Sequence, residues 1–174
     1  MRYPMLPTIL DFEASGFGYE SYPIEVGIAQ ANGERFCTLI EPLEEWQHWD
    51  TRAELVHQIN RNDLLNYGLP IIDVCLRLNQ ILRNQSVYSD GWVVDKQWLS
   101  KLYTAAQLEP TFTLSPIEAI QSEEQQAVWA EVKQELLDKH AFDRHRASHD
   151  ALLIQETYKA SRRLVQRAND IYSS

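Results

Sequence analysis

The chain has 174 residues, 44% of them hydrophobic, enough for one domain over residues 1–174 with a substantial buried core. A net charge of −9 argues against a protein that grips long nucleic acid through a broad basic face, because such binding draws most of its affinity from phosphate neutralisation, but it leaves room for a local site. The longest apolar runs fall far short of a bilayer span and the N-terminus lacks the basic and apolar regions of a secretion signal, so the expectation is a cytoplasmic protein without membrane contact. Cys37 and Cys75 lie in unrelated apolar contexts and read as core residues rather than as a disulfide or a zinc site.

The apolar run 5–10 reads as a buried strand continuing into Asp11-Phe12-Glu13, with Ser15-Gly16 as the turn that ends it. Strand side chains alternate, so Asp11 and Glu13 share the face of Ile9 while Phe12 points the other way. Residues 22–31 and 34–41 are strand-like and are separated by Asn32-Gly33, a hairpin signal, with Pro42 ending the second run. Residues 43–69 carry short-helix and loop signals. Trp46 and Trp49 there fit a lid over the core better than a stacking platform for a base.

Apolar positions Ile71, Val74, Cys75, Leu78 and Leu82 predict an amphipathic helix over 71–83, and 86–89 a short strand. A helix over 92–106 has Trp98, Leu99, Leu102 and Ala106 as its inward stripe, and counting back three and four places Asp95 at its head. After the segment 111–114, Ser115-Pro116-Ile117-Glu118 reads as a helix start, and 122–139 as a longer helix with a solvent-facing polar side. The last helix, over 147–168, buries Leu153, Ile154, Thr157, Ala160 and Leu164, and the same counting lands on Asp150. Lys159, Arg162, Arg163 and Arg167 form a basic strip on it that complements the helix dipole.

Asp95 or Asp150 alone would be an ordinary first-turn carboxylate. Together with Asp11 and Glu13 they form four inward carboxylates, which cannot all be buried and ionised without a counter-charge. Two magnesium ions would supply it, with manganese the expected substitute, since hard cations prefer carboxylate oxygens. His145 precedes Asp150 at the spacing His-x-x-x-x-Asp, and a neutral histidine can take a proton from water near working pH. Such a constellation suits two-metal phosphodiester hydrolysis.

These segments resemble the DEDDh branch of the DEDD exonucleases, typified by ribonuclease T and polymerase proofreading subunits. Asp11-Phe-Glu13-Ala-Ser-Gly16 is similar to the first exonuclease motif, the stretch from Ser89 through Asp95 to Leu99 to the second, and His145-Arg-Ala-Ser-His-Asp150 to the third. Pro23-Ile-Glu25-Val-Gly27 resembles the second strand of the family, and the stretch from Val56-His57 to Leu64 its His-Gly-Ile-Thr segment. The resemblance implies an α/β fold with a ribonuclease H-like mixed sheet of about five strands flanked by helices. It also implies that Asp11, Glu13, Asp95 and Asp150 are the metal ligands and His145 the general base. Ser15, Gly16, Phe17 and His57 fall where substrate contacts are expected.

The implied activity is a metal-dependent 3′→5′ exonuclease acting on the 3′ end of single-stranded DNA or RNA. Family analogy also suggests a homodimer, for which the sequence offers no clear interface stripe. Two departures stand out: Asp90-Gly91 occupies the place of the usual His-Asn, and Gln58 and Asn60 replace the Gly and Thr of the His-Gly-Ile-Thr segment. The alternatives are an accessory nucleic-acid-binding module of the same fold with little or no catalysis, and a hydrolase of another small phosphoester. His149 is a rival base by proximity, but its place beside Asp150 on the helix aims it elsewhere.

Overall fold

A computed structural model describes residues 6–139 and 146–172. Strands β1 (Thr8–Ala14), β2 (Pro23–Ala29), β3 (Arg35–Leu39), β4 (Ser86–Ser89) and β5 (Thr113–Pro116) form one mixed sheet in the order β3-β2-β1-β4-β5. The first three are antiparallel neighbours, as the Asn32-Gly33 turn requires, and β4 and β5 run parallel to β1. Gly33 takes φ +89° in that turn, a region open to glycine without strain.

Among the described residues seven helices flank the sheet: α1 (Thr51–His57), α2 (Arg61–Tyr67), α3 (Ile71–Ile81), α4 (Trp92–Ala106), α5 (Glu123–Ala127), α6 (Trp129–Lys139) and α7 (Ala147–Tyr172). On one face Leu10, Phe12, Val26 and Ile28 pack against α3 and α4 through Val74, Leu78, Leu99 and Leu102. On the other, Ile9 and Ala29 pack against Ala151, Ile154 and Tyr158 of α7. The alternation read in β1 therefore assigns the Asp11 and Glu13 face to α7. This is the ribonuclease H-like α/β arrangement expected.

Several elements differ from the sequence reading. Ser115 and Pro116 do not start a helix: they pair with Tyr88 and Ser89 as the end of β5, an edge strand where proline's missing N–H is tolerated, and a 3-10 turn at Ile117–Ile120 follows. The helix expected over 122–139 is two, meeting at Val128. Gln125 is buried, not solvated: its amide donates to the Tyr158 carbonyl and the Ser161 hydroxyl, which ties the short α5 to α7. Leu164 is 49% exposed because α7, at about 39 Å, outruns strands of about 23 Å. Cys75 is a core residue, but Cys37 lies exposed on β3. No helix among the described residues is long and apolar enough to cross a membrane.

The two replacements in the α1–α2 connection keep local backbone functions. Gln58 ends α1 in the left-handed region at φ 56°, a conformation glycine adopts without strain, and the Asn60 side chain caps α2 by accepting from the Asn62 N–H. Trp46 stacks on Tyr22 with ring centroids 5.3 Å apart, and Trp49 donates its indole N–H to Glu54, so both serve as cover for the core.

Candidate active site

The site is built where α7 begins. Gly27 of β2 lies opposite Asp11 of β1, and a Cβ placed on it would stand 2.1 Å from the Ala147 carbonyl carbon and 2.2 Å from the Ser148 nitrogen. The first turn of α7 therefore rests directly on the sheet. Glu25, two residues earlier on β2 and fully buried, fixes it there. Its carboxylate accepts from the Ala147 N–H at 2.8 Å and from the Arg146 guanidinium at 2.6 Å (Nη2) and 3.0 Å (Nε), satisfying a helix N-terminal donor and pairing its own charge. Asp150, one turn further along α7, is thereby delivered onto the face that carries Asp11 and Glu13. One carboxylate oxygen from each of Asp11, Glu13 and Asp150 lies within 4.8 Å of the others.

Asp95 reaches the same end of the sheet from the opposite layer. It stands in the first turn of α4, which packs on the other face, and it is 4% exposed. The pairing of β4 with β1 stops at Ile9 and Tyr88, leaving the edge of β1 beyond it without a strand partner on that side among the described residues. Asp95 occupies this gap, accepting from the Phe12 N–H at 3.2 Å and from the Ser89 hydroxyl. The structure thus gathers Asp11, Glu13 and Asp150 into one cluster and sets Asp95 beside it, held by two donors of its own.

The electrostatics follow from burial and crowding. Asp11 is pushed well above the usual carboxylate range, first by burial and then by Asp95, Asp150 and Glu13. Glu13 is pushed up to about 8 by burial, Asp150 and Glu25, with Arg146 opposing. Asp95 rises to about 7 because burial outweighs its bonds to Ser89 and Phe12. Arg146, the cation that acts on Glu13, is already engaged by Glu25. A cluster of oxygen donors whose protons are held this tightly, with no nitrogen or sulfur ligand in it among the described residues, suits a hard divalent cation: the cation would replace those protons.

Beside the cluster lies a pocket of about 290 Å³ that shares Glu13 with it and is lined by Gly16, Phe17, His57, Val94 and Trp98 among others. Phe17 is 68% exposed at its rim. His57 is buried, its Nδ1 accepting from the Ile59 N–H at 3.0 Å and its ring edge-on to Trp49. Gly16 packs tightly, a Cβ there falling 2.7 Å from atoms of both His48 and Asp50. Ser15 stands behind the pocket, its hydroxyl accepting from the Tyr22 N–H to close the turn after β1. His149 lines a separate cleft with Glu25, Cys37 and Arg146. His145, read as the general base, lies outside the described residues. Asp90 is paired with Lys133 of α6.

Sequence reasoning passed over Glu25, Arg146 and Ser89 as parts of the site. A glutamate inside an otherwise apolar strand was a signal for the first, because a buried carboxylate needs a partner. Glu25→Gln is expected to lower the melting temperature by a few degrees, from a cost of about 1–2 kcal/mol, since a neutral amide still accepts from Ala147 but loses the ionic bond to Arg146. The half-exposed guanidinium is rehydrated, which keeps the cost below that of stranding a buried charge. Thermal melts of the two proteins in one buffer check this.

The fold and the acidic cluster define an α/β protein with a ribonuclease H-like sheet and a site suited to a hard cation. No family model matches the sequence, and no curated protein matches it. Solved structures do. The zinc-bound form of E. coli exonuclease I with single-stranded DNA is similar over 94% of this chain and 41% of its own, with a TM-score of 0.65 and 14% identity. The same enzyme with a dA16 oligonucleotide gives 0.64 and 11% over 84% of this chain and 39% of its own. Exonuclease I from Methylocaldum szegediense gives 0.56 and 12% over 74% and 30%. This chain spans about two fifths or less of their length, and at these identities the likeness is one of fold.

Proposed function

We propose that the protein is a metal-dependent 3′→5′ exonuclease that releases nucleoside 5′-monophosphates from single-stranded DNA or RNA. In this reading Asp11, Glu13, Asp95 and Asp150 hold two magnesium ions, or manganese in their place, and His145 is the general base. The observation that carries it is the convergence of Asp11, Glu13 and Asp150 within 4.8 Å, with Asp95 fixed alongside. The fold likeness to exonuclease I bound to oligonucleotides adds support.

When bound, the cations would activate water and stabilise the leaving oxygen of an in-line displacement. The protein's own groups prepare the substrate. Phe17, Val94 and Trp98 offer an apolar wall for a terminal nucleoside, and because Glu13 is common to pocket and cluster, a nucleoside seated there carries its phosphate to where the carboxylates would hold the cations. His145 takes the proton of the attacking water.

One observation favours a second reading, a binding module with little turnover: the Asp90–Lys133 ion pair occupies the position where the family pattern has His-Asn. Release of mononucleotides from 3′- and 5′-labelled single-stranded DNA and RNA, with magnesium or manganese, separates the two. Metal-dependent release from the 3′ end that Asp11→Ala and His145→Ala abolish is the expected result. Tight strand binding with no turnover on any substrate would move the assignment to the binding module.

A further inference from the structure

A second concavity, of about 930 Å³, runs along the exposed side of α4 and continues the pocket at the acidic cluster, since Gly18, Gln97 and Trp98 line both. Three features set it apart from the rest of a surface with a net charge of −9.

The first is its cations. Lys96 sits 4.7 Å over the ring of Trp92, and Lys101 donates to the carbonyls of Tyr19 and Ser21. Neither forms an ion pair with a carboxylate among the described residues, although Glu20 also lines the groove, so two positive charges are held by a π face and by backbone dipoles. The second is its aromatic wall. Tyr19 is 97% exposed, while Trp92 is fixed by the indole N–H it donates to the Leu114 carbonyl at 3.0 Å. A ring so exposed gains nothing from the core, and a fixed ring beside it loses little entropy on stacking. The third is direction. Lys96 and Lys101 are five residues apart on one helix, about 7.5 Å along its axis and about 140° around it, so within the groove that both line the positive charge spreads around α4 as well as away from Asp95.

We infer that the groove along α4 binds the nucleotides lying 5′ of the scissile bond of a single-stranded nucleic acid, with Lys96 and Lys101 facing its phosphates and Tyr19 and Trp92 stacking on its bases. This rests on the exonuclease reading of the adjoining site. It explains how an acidic protein would hold a polyanion: local cations and stacking take the role a broad basic face has elsewhere.

The test is binding of 5′-labelled single-stranded DNA of 2 and 12 nucleotides by fluorescence anisotropy, with calcium present to disfavour turnover. The proteins are wild type, Lys96→Glu, Tyr19→Ala and the surface charge control Arg77→Glu, checked for equal melting temperatures. In wild type the 12-mer is expected to bind much more tightly than the 2-mer. Lys96→Glu and Tyr19→Ala are each expected to weaken the 12-mer about tenfold and to remove most of its advantage, and Lys96→Glu to flatten its salt dependence, with Arg77→Glu near wild type. A 12-mer advantage untouched by both groove variants overturns the inference. So does a dimer in sedimentation that Tyr19→Ala dissolves, which gives the groove to a second copy of the chain. Because the readout is binding, a protein that shows this length dependence but never cleaves leaves the groove assignment standing while the exonuclease reading fails.

Discussion

Asp11→Asn is expected to make the metal-free protein more stable and to abolish the proposed exonuclease activity. Asp11 faces Asp95, Asp150 and Glu13 from a largely desolvated position, and each of those charges raises its proton affinity. A neutral amide of nearly the same shape removes the repulsion. The expected gain at pH 7.5 in a chelating buffer is about 1–2 kcal/mol, or on the order of 4 °C in melting temperature. Saturating magnesium should reverse the order, because wild type gains the free energy of binding and the variant, short of a ligand, gains little. Mononucleotide release should fall by more than the 10–100-fold typical of losing a group that merely supports a metal ligand.

The pH dependence has a definite sign. Glu13 titrates at about 8 in the folded protein against 4.5 ordinarily, so between those values the unfolded chain has lost a proton that the folded one keeps. Metal-free wild type should be most stable below about pH 4.5 as far as this group is concerned. That contribution is lost progressively as pH rises to about 8, with Asp95 adding to the loss up to about pH 7. The slope should be shallower in Asp11→Asn. Melting curves from pH 5 to 8, with and without magnesium, test all of this; identical curves for the two proteins, both indifferent to magnesium, would falsify the metal assignment.

Much of this site could be read in the sequence because it depends on short-range periodicity. The alternation that puts Asp11 and Glu13 on one face needs only three consecutive residues, and the positions of Asp95 and Asp150 follow from helical spacing to Leu99 and Leu153. Asp95's stance beside the trio was not legible. It depends on β4 ending at Ser89, short of Phe12, so that the β1 edge is open to a side chain from the far layer. The Glu25–Arg146 anchor was hidden for a similar reason: the partners are 121 residues apart and meet only once α7 is seated on β2. The division at Val128 and the burial of Gln125 depend likewise on where α5 meets α7, which no local pattern encodes. Local rules placed the carboxylates on their elements; the packing of elements distant in sequence sets the distances between them.

Gly27→Ala should test that packing more severely than any change to a charged group. The added methyl carbon would fall 2.1–2.3 Å from the Ala147 carbonyl carbon and oxygen and the Ser148 nitrogen, where ordinary contact is well over 3 Å. All three obstructing atoms are backbone, so no side-chain rotation relieves the clash and α7 must move by about an ångström. Overpacking of this kind costs about 1–3 kcal/mol in general. With nothing soft to yield, the upper value is expected here, lowering the melting temperature by about 6–12 °C. The shift would also stretch the bonds from Arg146 and Ala147 to Glu25 and carry Asp150 away from Asp11 and Glu13. A displacement of that size at a reacting centre can reduce turnover about 100-fold, so the variant that remains folded at low temperature should bind manganese more weakly and release mononucleotides more slowly. Glu25→Gln loosens the same seat without moving it, so it should lose a few degrees while keeping most of its affinity for manganese. A Gly27→Ala protein that matched wild type in melting temperature and manganese affinity would mean that the first turn of α7 does not rest on β2, and that Asp150 reaches the cluster by some other path.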